Sequence, residues 1–449
     1  MYRCVGNTKR GRKIHDNYRN TRMKWRKYIP HAILLGIAIA VSFYALRYWG
    51  DSKLHRNYPM TELTKKMQTH CVGRLLIDLP EGTEWEPTAS GAHLDGYLAL
   101  SVTTGVSEAD YAILMEKRWA EIEAEEKKST RLAPRSANKR NPLKNSAVFI
   151  YNYVWVEGPD LNGVMRKEVF HEAEGYLWRD NTLFTFGRTL NAAEDILRWL
   201  PRLYTRKNNE IPDRPGLCLN GAFVESYYDL NAPFESVSWG FRLPKELGLV
   251  VRHAKVWEPE QPMLERYREG EDEFTGLLAK DLAKPGVVAG RKEYRARKRN
   301  VGDLEGDERV VGGAEGRGNW KYFKTNIGGE WSFPGAGSPY PMPSVGIDLE
   351  TTFKTATKPA ELGDFPTHDE APAYPTEAEF FELWDTILNS VRYRPGALTP
   401  PPPNSGPMAS SVGSPPVRPA PLMTYDRDDY VLEEFLTSLT PKENWLDDL

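Results

Sequence analysis

Cysteine is scarce in this sequence, with three in 449 residues at positions 4, 71 and 218. So few thiols exclude a disulfide-dense scaffold and a cysteine-rich metal framework. Histidine is scarce too: the eight are scattered with no ligand spacing, so neither a metal site nor a cofactor is expected. There is no excess of positive charge, since 59 Lys and Arg stand against 62 Asp and Glu. That balance excludes a wholesale nucleic-acid binder, which carries a basic domain.

Catalytic motifs are missing as well. His171-Glu172 begins a zinc-protease pattern, but Gly175 stands where its second histidine belongs. The glycine-rich segment Val311 to Gly318 lacks the Lys-Ser/Thr of a phosphate loop and reads as a turn between strands. Ser338, in GAGSP, does not sit in the elbow that presents a hydrolase nucleophile. No catalytic residue is assigned, and the expectation is a protein that works by binding. An enzyme with a site assembled from distant residues remains the competing class.

What is present is ample core material, 40% hydrophobic and 11% aromatic residues. One long apolar run stands out, Ile29 to Leu46, preceded by a strongly basic segment with Asp16 as its single acid. An apolar helix of this length spans most of a bilayer core. The positive flank places residues 1–28 in the cytoplasm and everything after the anchor, residues 29–49, across the membrane. A cleaved signal peptide and a buried core helix are the alternatives.

Beyond a polar spacer the chain reads as α+β, two similar antiparallel-sheet-plus-helix domains at 59–207 and 217–395. In the first, His70 to Pro80, Leu94 to Thr103, Ala147 to Val156, Val164 to Glu174 and Tyr176 to Phe186 have strand character. A helix opens at Ser107, with an apolar stripe through Tyr111, Leu114, Met115, Trp119 and Ile122. Asn191 is the expected cap of a second helix, which Pro201 shortens. Asn208 to Gly216, with two prolines, marks the boundary.

The second unit repeats this order weakly, with a charged helix expected over Met263 to Ala279. It closes on a helix over Thr376 to Val391, opened by the capping box Thr376-x-x-Glu379. Residues 396–449 form a proline-rich linker and an acidic tail.

Cys71 and Cys218 fall beyond the anchor, in an oxidising compartment. One disulfide between the starts of the two domains is expected, with two separate buried thiols as the alternative. For partner binding, Trp331, Phe333 and Tyr340 lie in an aromatic loop, WSFPGAGSPYPMPS, which is either exposed or packs these rings locally beneath it. Trp239, on a strand, is a fourth candidate whose competing reading is burial in the core.

Four segments carry a family resemblance: CVGRLLIDLP at 71–80, NNEIPDRPGLCLNGAFV at 208–224, VGDLEGDE at 301–308 and ELWDTILNSVRYRP at 382–395. Together they resemble the family-four immunity proteins directed against type VI secretion lipase effectors. The resemblance covers about 60–395. It implies a periplasmic protein of two α+β domains that grip a phospholipase toxin and hold its lid region, which the anchor read from the apolar run makes a single-pass protein of the inner membrane. It also implies a cognate lipase effector as partner, with no nucleic acid. The linker and tail extend beyond the family's usual end. A membrane-anchored lipase chaperone and an anchored periplasmic sensor are the competing functions.

Overall fold

The computed structural model describes residues 61–128, 135–159, 163–228, 234–256, 258–268, 287–317, 323–336, 342–355, 363–365 and 373–402. The chain divides into two units, Met1–Pro59 and Met60–Leu449, and every described residue belongs to the second. The expected anchor at 29–49 lies outside the described residues, as do the tail beyond 402 and most of the charged helix expected after Met263. Among the described residues no helix is long and apolar enough to cross a membrane.

The first elements are β1 (Met67–Val72), β2 (Leu75–Pro80), β3 (Glu84–Leu94), β4 (Leu98–Thr104), α1 (Glu108–Lys128), β5 (Asn138–Arg140), β6 (Ser146–Pro159), β7 (Met165–Arg179), β8 (Thr182–Leu190) and α2 (Ala193–Trp199). β9 (Leu203–Thr205) leads into the polar junction, and β10 (Gly216–Leu219) and β11 (Ala222–Glu225) follow it. Then come β12 (Ser236–Leu243), β13 (Leu247–Ala254), β14 (Val287–Val301), β15 (Leu304–Arg317), β16 (Phe323–Phe333), β17 (Ser344–Thr355), α3 (Glu377–Ser390) and β18 (Arg392–Tyr393).

Local chemistry explains the boundaries. The apolar run at 70–80 reads as one strand, but it folds into the β1–β2 hairpin, with Val72 opposite Leu75. Gly73 turns the chain there at φ +55°, a left-handed conformation that glycine adopts without a Cβ penalty. Asp180 and Asn181, both at positive φ, close the β7–β8 hairpin in the same way. Ser107 caps α1, its Oγ accepting from the Asp110 N–H at 3.1 Å. Asn191 does not cap α2: it sits at φ 55°, and its side-chain oxygen accepts instead from His171 N–H at 3.0 Å. At α3, by contrast, the capping box is complete, with Thr376 Oγ1 and the Glu379 carboxylate each accepting from the other's backbone N–H.

The result is a sheet-dominated α+β fold. One antiparallel sheet of twelve strands runs in the order β14-β15-β16-β17-β13-β12-β3-β4-β8-β7-β6-β5. Strands from both sides of the 208–216 junction share it, because β12 pairs with β3. Two smaller sheets, β1-β2-β18 and β10-β11-β9, complete the set. The helices cover the sheets: α1 packs on β6, α2 on β6 and β7, and α3 on β2 and β14.

The small sheets are stitched together at one place. Cys71 of β1 and Cys218 of β10 form a disulfide, with Cα atoms 5.7 Å apart. Beside it, Gly73 and Cys218 exchange two backbone hydrogen bonds of 2.9 and 2.8 Å. Arg74, fully buried, makes a fork to Glu235 at 2.5 and 2.9 Å and also donates to the Ala397 carbonyl. Burial pushes Glu235 up, but the charge and hydrogen bonds of Arg74 outweigh it and hold the carboxyl below its ordinary range. Arg394 donates to the carbonyls of Pro212, Arg214 and Gly216 at 2.6 to 2.8 Å, fixing the polar junction to the end of the fold.

Candidate partner-binding surface

Three of the four aromatic candidates are core residues. Trp331 is not in an exposed loop. It lies on β16 opposite Glu308, is fully buried, and donates from its indole N–H to the Arg299 carbonyl at 3.0 Å. The reason is strand periodicity. Ile327, Gly329, Trp331 and Phe333 alternate inward along β16, all buried, with intervening residues half-buried. Gly329 lets α3 pack closely there, because a Cβ would stand 3.2 Å from the Trp384 ring and force it to give by a few tenths of an ångström. Phe333 is buried in that row, and Trp239 is buried with its ring 5.8 Å from that of Trp85. Tyr340 lies outside the described residues.

The exposed aromatic surface lies elsewhere, on the β6–β7 ribbon. At its root the ribbon is well packed. Phe149, Tyr151 and Tyr176 join Tyr111, Met115 and Ile122 of α1 in one cluster. Arg118 of α1 holds Glu174 of β7 in a two-pronged contact of 2.8 and 3.1 Å, and both groups meet the Tyr151 hydroxyl. Burial and then the Glu174 charge push the Tyr151 phenol up to about 12, so it stays a neutral donor.

Past this root the neighbours run out among the described residues. On one side β5 reaches only as far as Ile150 of β6. On the other β8 ends with Leu190 opposite Glu172 of β7. A bulge between Tyr151 and Val154, with Asn152 at φ 52°, redirects the strand there. From Val154 onward the two strands continue as a bare ribbon, paired Trp155 to Val169, Glu157 to Lys167 and Pro159 to Met165. Directly opposed residues share a face, so Trp155 and Val169 form one row with Pro159 and Met165, interrupted by the pair Glu157 and Lys167.

That row is uncovered: Trp155 is 52% exposed and Met165 62%. Val156, Val164 and Leu190 add exposed apolar area nearby. Lys167 lies over the Trp155 ring at 5.1 Å, which holds the indole along the ribbon. A tryptophan in an exposed, mostly apolar row is the composition of a protein–protein contact. Sequence reading took Trp155 as an ordinary strand residue. The available signal was that AVFIYNYVWV runs at once into Glu157-Gly158-Pro159, where charge, glycine and proline break the apolar strand.

Comparisons with known proteins bear on what such a surface meets. Residues 210–396 match the family model described as the Tle cognate immunity protein 4 C-terminal domain. Among solved structures, the chain is similar to the protein in the crystal structure of the Tle4–Tli4 complex, with a TM-score of 0.54 at 20% identity, covering 75% of this chain and 99% of that one. It is also similar to the apo structure of the type VI secretion immunity protein TplEi from Pseudomonas aeruginosa, with a TM-score of 0.51 at the same identity and coverage. At that identity the likeness establishes a shared fold. No curated protein matches the chain significantly. Residues 210–396 are thereby recognised as a Tle cognate immunity protein 4 C-terminal domain.

Proposed function

We propose that the protein is an immunity protein that binds and neutralises a lipase effector of the Tle type delivered by type VI secretion. The match of residues 210–396 to the immunity-protein family carries the reading. The fold shared with a protein crystallised in an effector–immunity complex supports it. Inhibition then needs no catalytic group on this chain. It needs a rigid body with an exposed hot-spot surface, and the ribbon bearing Trp155 and Met165 has that character.

The finer reading places the body in the periplasm, held at the inner membrane by residues 29–49, with the grip on the effector's lid region. The basic segment ahead of the apolar run supports the topology. Anchoring raises the local concentration of the inhibitor where a membrane-active lipase works. A periplasmic body also suits a disulfide between Cys71 and Cys218.

The test is co-expression. A cognate Tle-type lipase is exported to the periplasm with and without this protein, survival is followed, and the pair is run on gel filtration. Rescue with a stable complex is expected. Cell death with no complex overturns the proposal, and a complex that raises lipase activity makes the protein a chaperone instead.

A further inference from the structure

Arg74 is the hub of a buried polar cluster that the ribbon does not touch. Besides its fork to Glu235 it donates to the carbonyls of Ser226 and Ala397 and lies over the Tyr228 ring at 5.2 Å. One side chain thus ties the β1–β2 turn to the segments after β11, before β12 and after β18.

His253 of β13 lies directly under that turn. A Cβ on Gly73 would stand 3.5 Å from its Nδ1. The residue is 1% exposed, and on the neighbouring strands it stands opposite buried Val237 and Val345. Both ring nitrogens are buried without a hydrogen-bond partner among the described residues. A neutral imidazole therefore leaves one N–H unmet, whereas an imidazolium leaves two and adds a full charge.

The surrounding charges give little help to that cation. Glu235 favours it, but both carboxylate oxygens already accept from the Arg74 fork. Arg74 opposes it. Lys255, also buried, draws on Glu235 as well. Tyr228 is pushed up by burial and then by Glu235, so it stays neutral. Burial is the largest influence on His253, and it draws the imidazole down to about 4 against the pull of Glu235. Once the turn opens, the ring regains its ordinary 6.5. The closed state thus binds fewer protons. Its advantage is complete above 6.5 and is lost as pH falls through 4.

We propose that His253 is an acid-sensitive latch: its protonation lifts the β1–β2 turn, with Arg74 and the disulfide-linked β10, off the large sheet while the rest of that sheet stays folded. The proposal does not depend on effector binding.

The test is hydrogen exchange, read by mass spectrometry on the full chain in detergent at pH 7.5 and 4.5, with intrinsic rates corrected for. Peptides over the β1–β2 turn and β10 report the latch through the reciprocal Gly73–Cys218 backbone bonds. The β15–β16 hairpin is the reference, since its buried Glu308 is held at about 2 and stays charged across the window. Glu235, held below its ordinary range, stays largely charged there too. Exchange at the turn and β10 should rise on the order of fiftyfold between the two pH values, as expected for a group at 6.5 when open and about 4 when closed, with the reference unchanged. In His253→Phe, which retains a flat ring and takes up no proton, the rise should vanish. No rise in the wild type, a rise shared equally by the reference hairpin, or the same rise in His253→Phe overturns the proposal. The first two outcomes are read on the wild type alone, so they decide the matter even where the variant does not fold.

Discussion

Removing the disulfide is the sharpest perturbation of this fold. Cys71 and Cys218 are 147 residues apart in sequence, so their bond closes a long loop in the unfolded chain. In the chain-entropy picture a loop of that length restricts the unfolded state by about 5 kcal/mol. A typical domain has about 5–15 kcal/mol of net stability, so this one bond is a large share of the whole. The double variant Cys71→Ala/Cys218→Ala also leaves a small void, because both sulfurs pack with Leu76 and Phe223. The assay is urea unfolding of oxidised wild type against the double variant. With a slope of about 3 kcal/mol per molar, the midpoint falls by about 1–2 M. The slope itself should rise, because an unlinked chain exposes more surface on unfolding. A thiol count on the oxidised, denatured chain supplies the control: one reactive thiol, Cys4, is expected of the three cysteines. Three reactive thiols, or coincident midpoints, would refute the reasoning.

Three further outcomes follow from the geometry. Trp155→Ala with Met165→Ala should weaken effector binding by about 2 kcal/mol, roughly thirtyfold, without lowering the melting temperature, since both side chains are exposed; unchanged affinity in calorimetry removes the ribbon from the interface. Glu308 is fully buried, is bonded by Arg295, Arg297, Arg299 and the Trp384 indole, and is held at about 2 by the three arginines against the upward push of burial. Its contribution is therefore present above its ordinary 4.5 and lost as pH falls toward 2. Glu308→Gln should cost about 3–5 kcal/mol at neutral pH by leaving the arginines unpaired, and a variant as stable as wild type would contradict this. Glu350 is the opposite case, raised to about 7 by burial and then by Asp348, so its contribution is complete below 4.5 and lost as pH rises through 7. Glu350→Gln should flatten the pH dependence and gain up to about 3 kcal/mol at pH 8; a midpoint that does not move there rules the assignment out.

Legibility in the sequence followed range. The α3 capping box, the Ser107 start of α1 and the strand character of β6 to β8 are written within a few residues, where propensity and hydrogen bonding act. The turn at Gly73 was hidden because apolar residues flank it on both sides, so periodicity alone read one strand. Trp331 was misplaced because Phe333-Pro334-Gly335 looks like an open loop, whereas the burial of that row is decided by α3, about fifty residues later in the chain. The ribbon is the converse. Trp155 and Met165 look like any strand residues, and only the early ends of β5 and β8 leave them bare. The pairing of β3 with β12 has no local signature at all, since register between strands this far apart is set by the assembled sheet.

The closure of the small β1-β2-β18 sheet has a consequence in time. The partner of Leu75 and Leu76 is the pair Arg392 and Tyr393, and the Asp78 amide donates to Ser390, 312 positions later. Thr61 and Thr64 likewise donate to Glu382. β2 therefore pairs with β1 early in synthesis, but its other edge has no partner until almost the whole body has been made. Contacts of such separation form late and slowly. The β2 edge thus closes only when the segment after α3 arrives, so the pairing with Arg392 and Tyr393 is among the last contacts of the body to form.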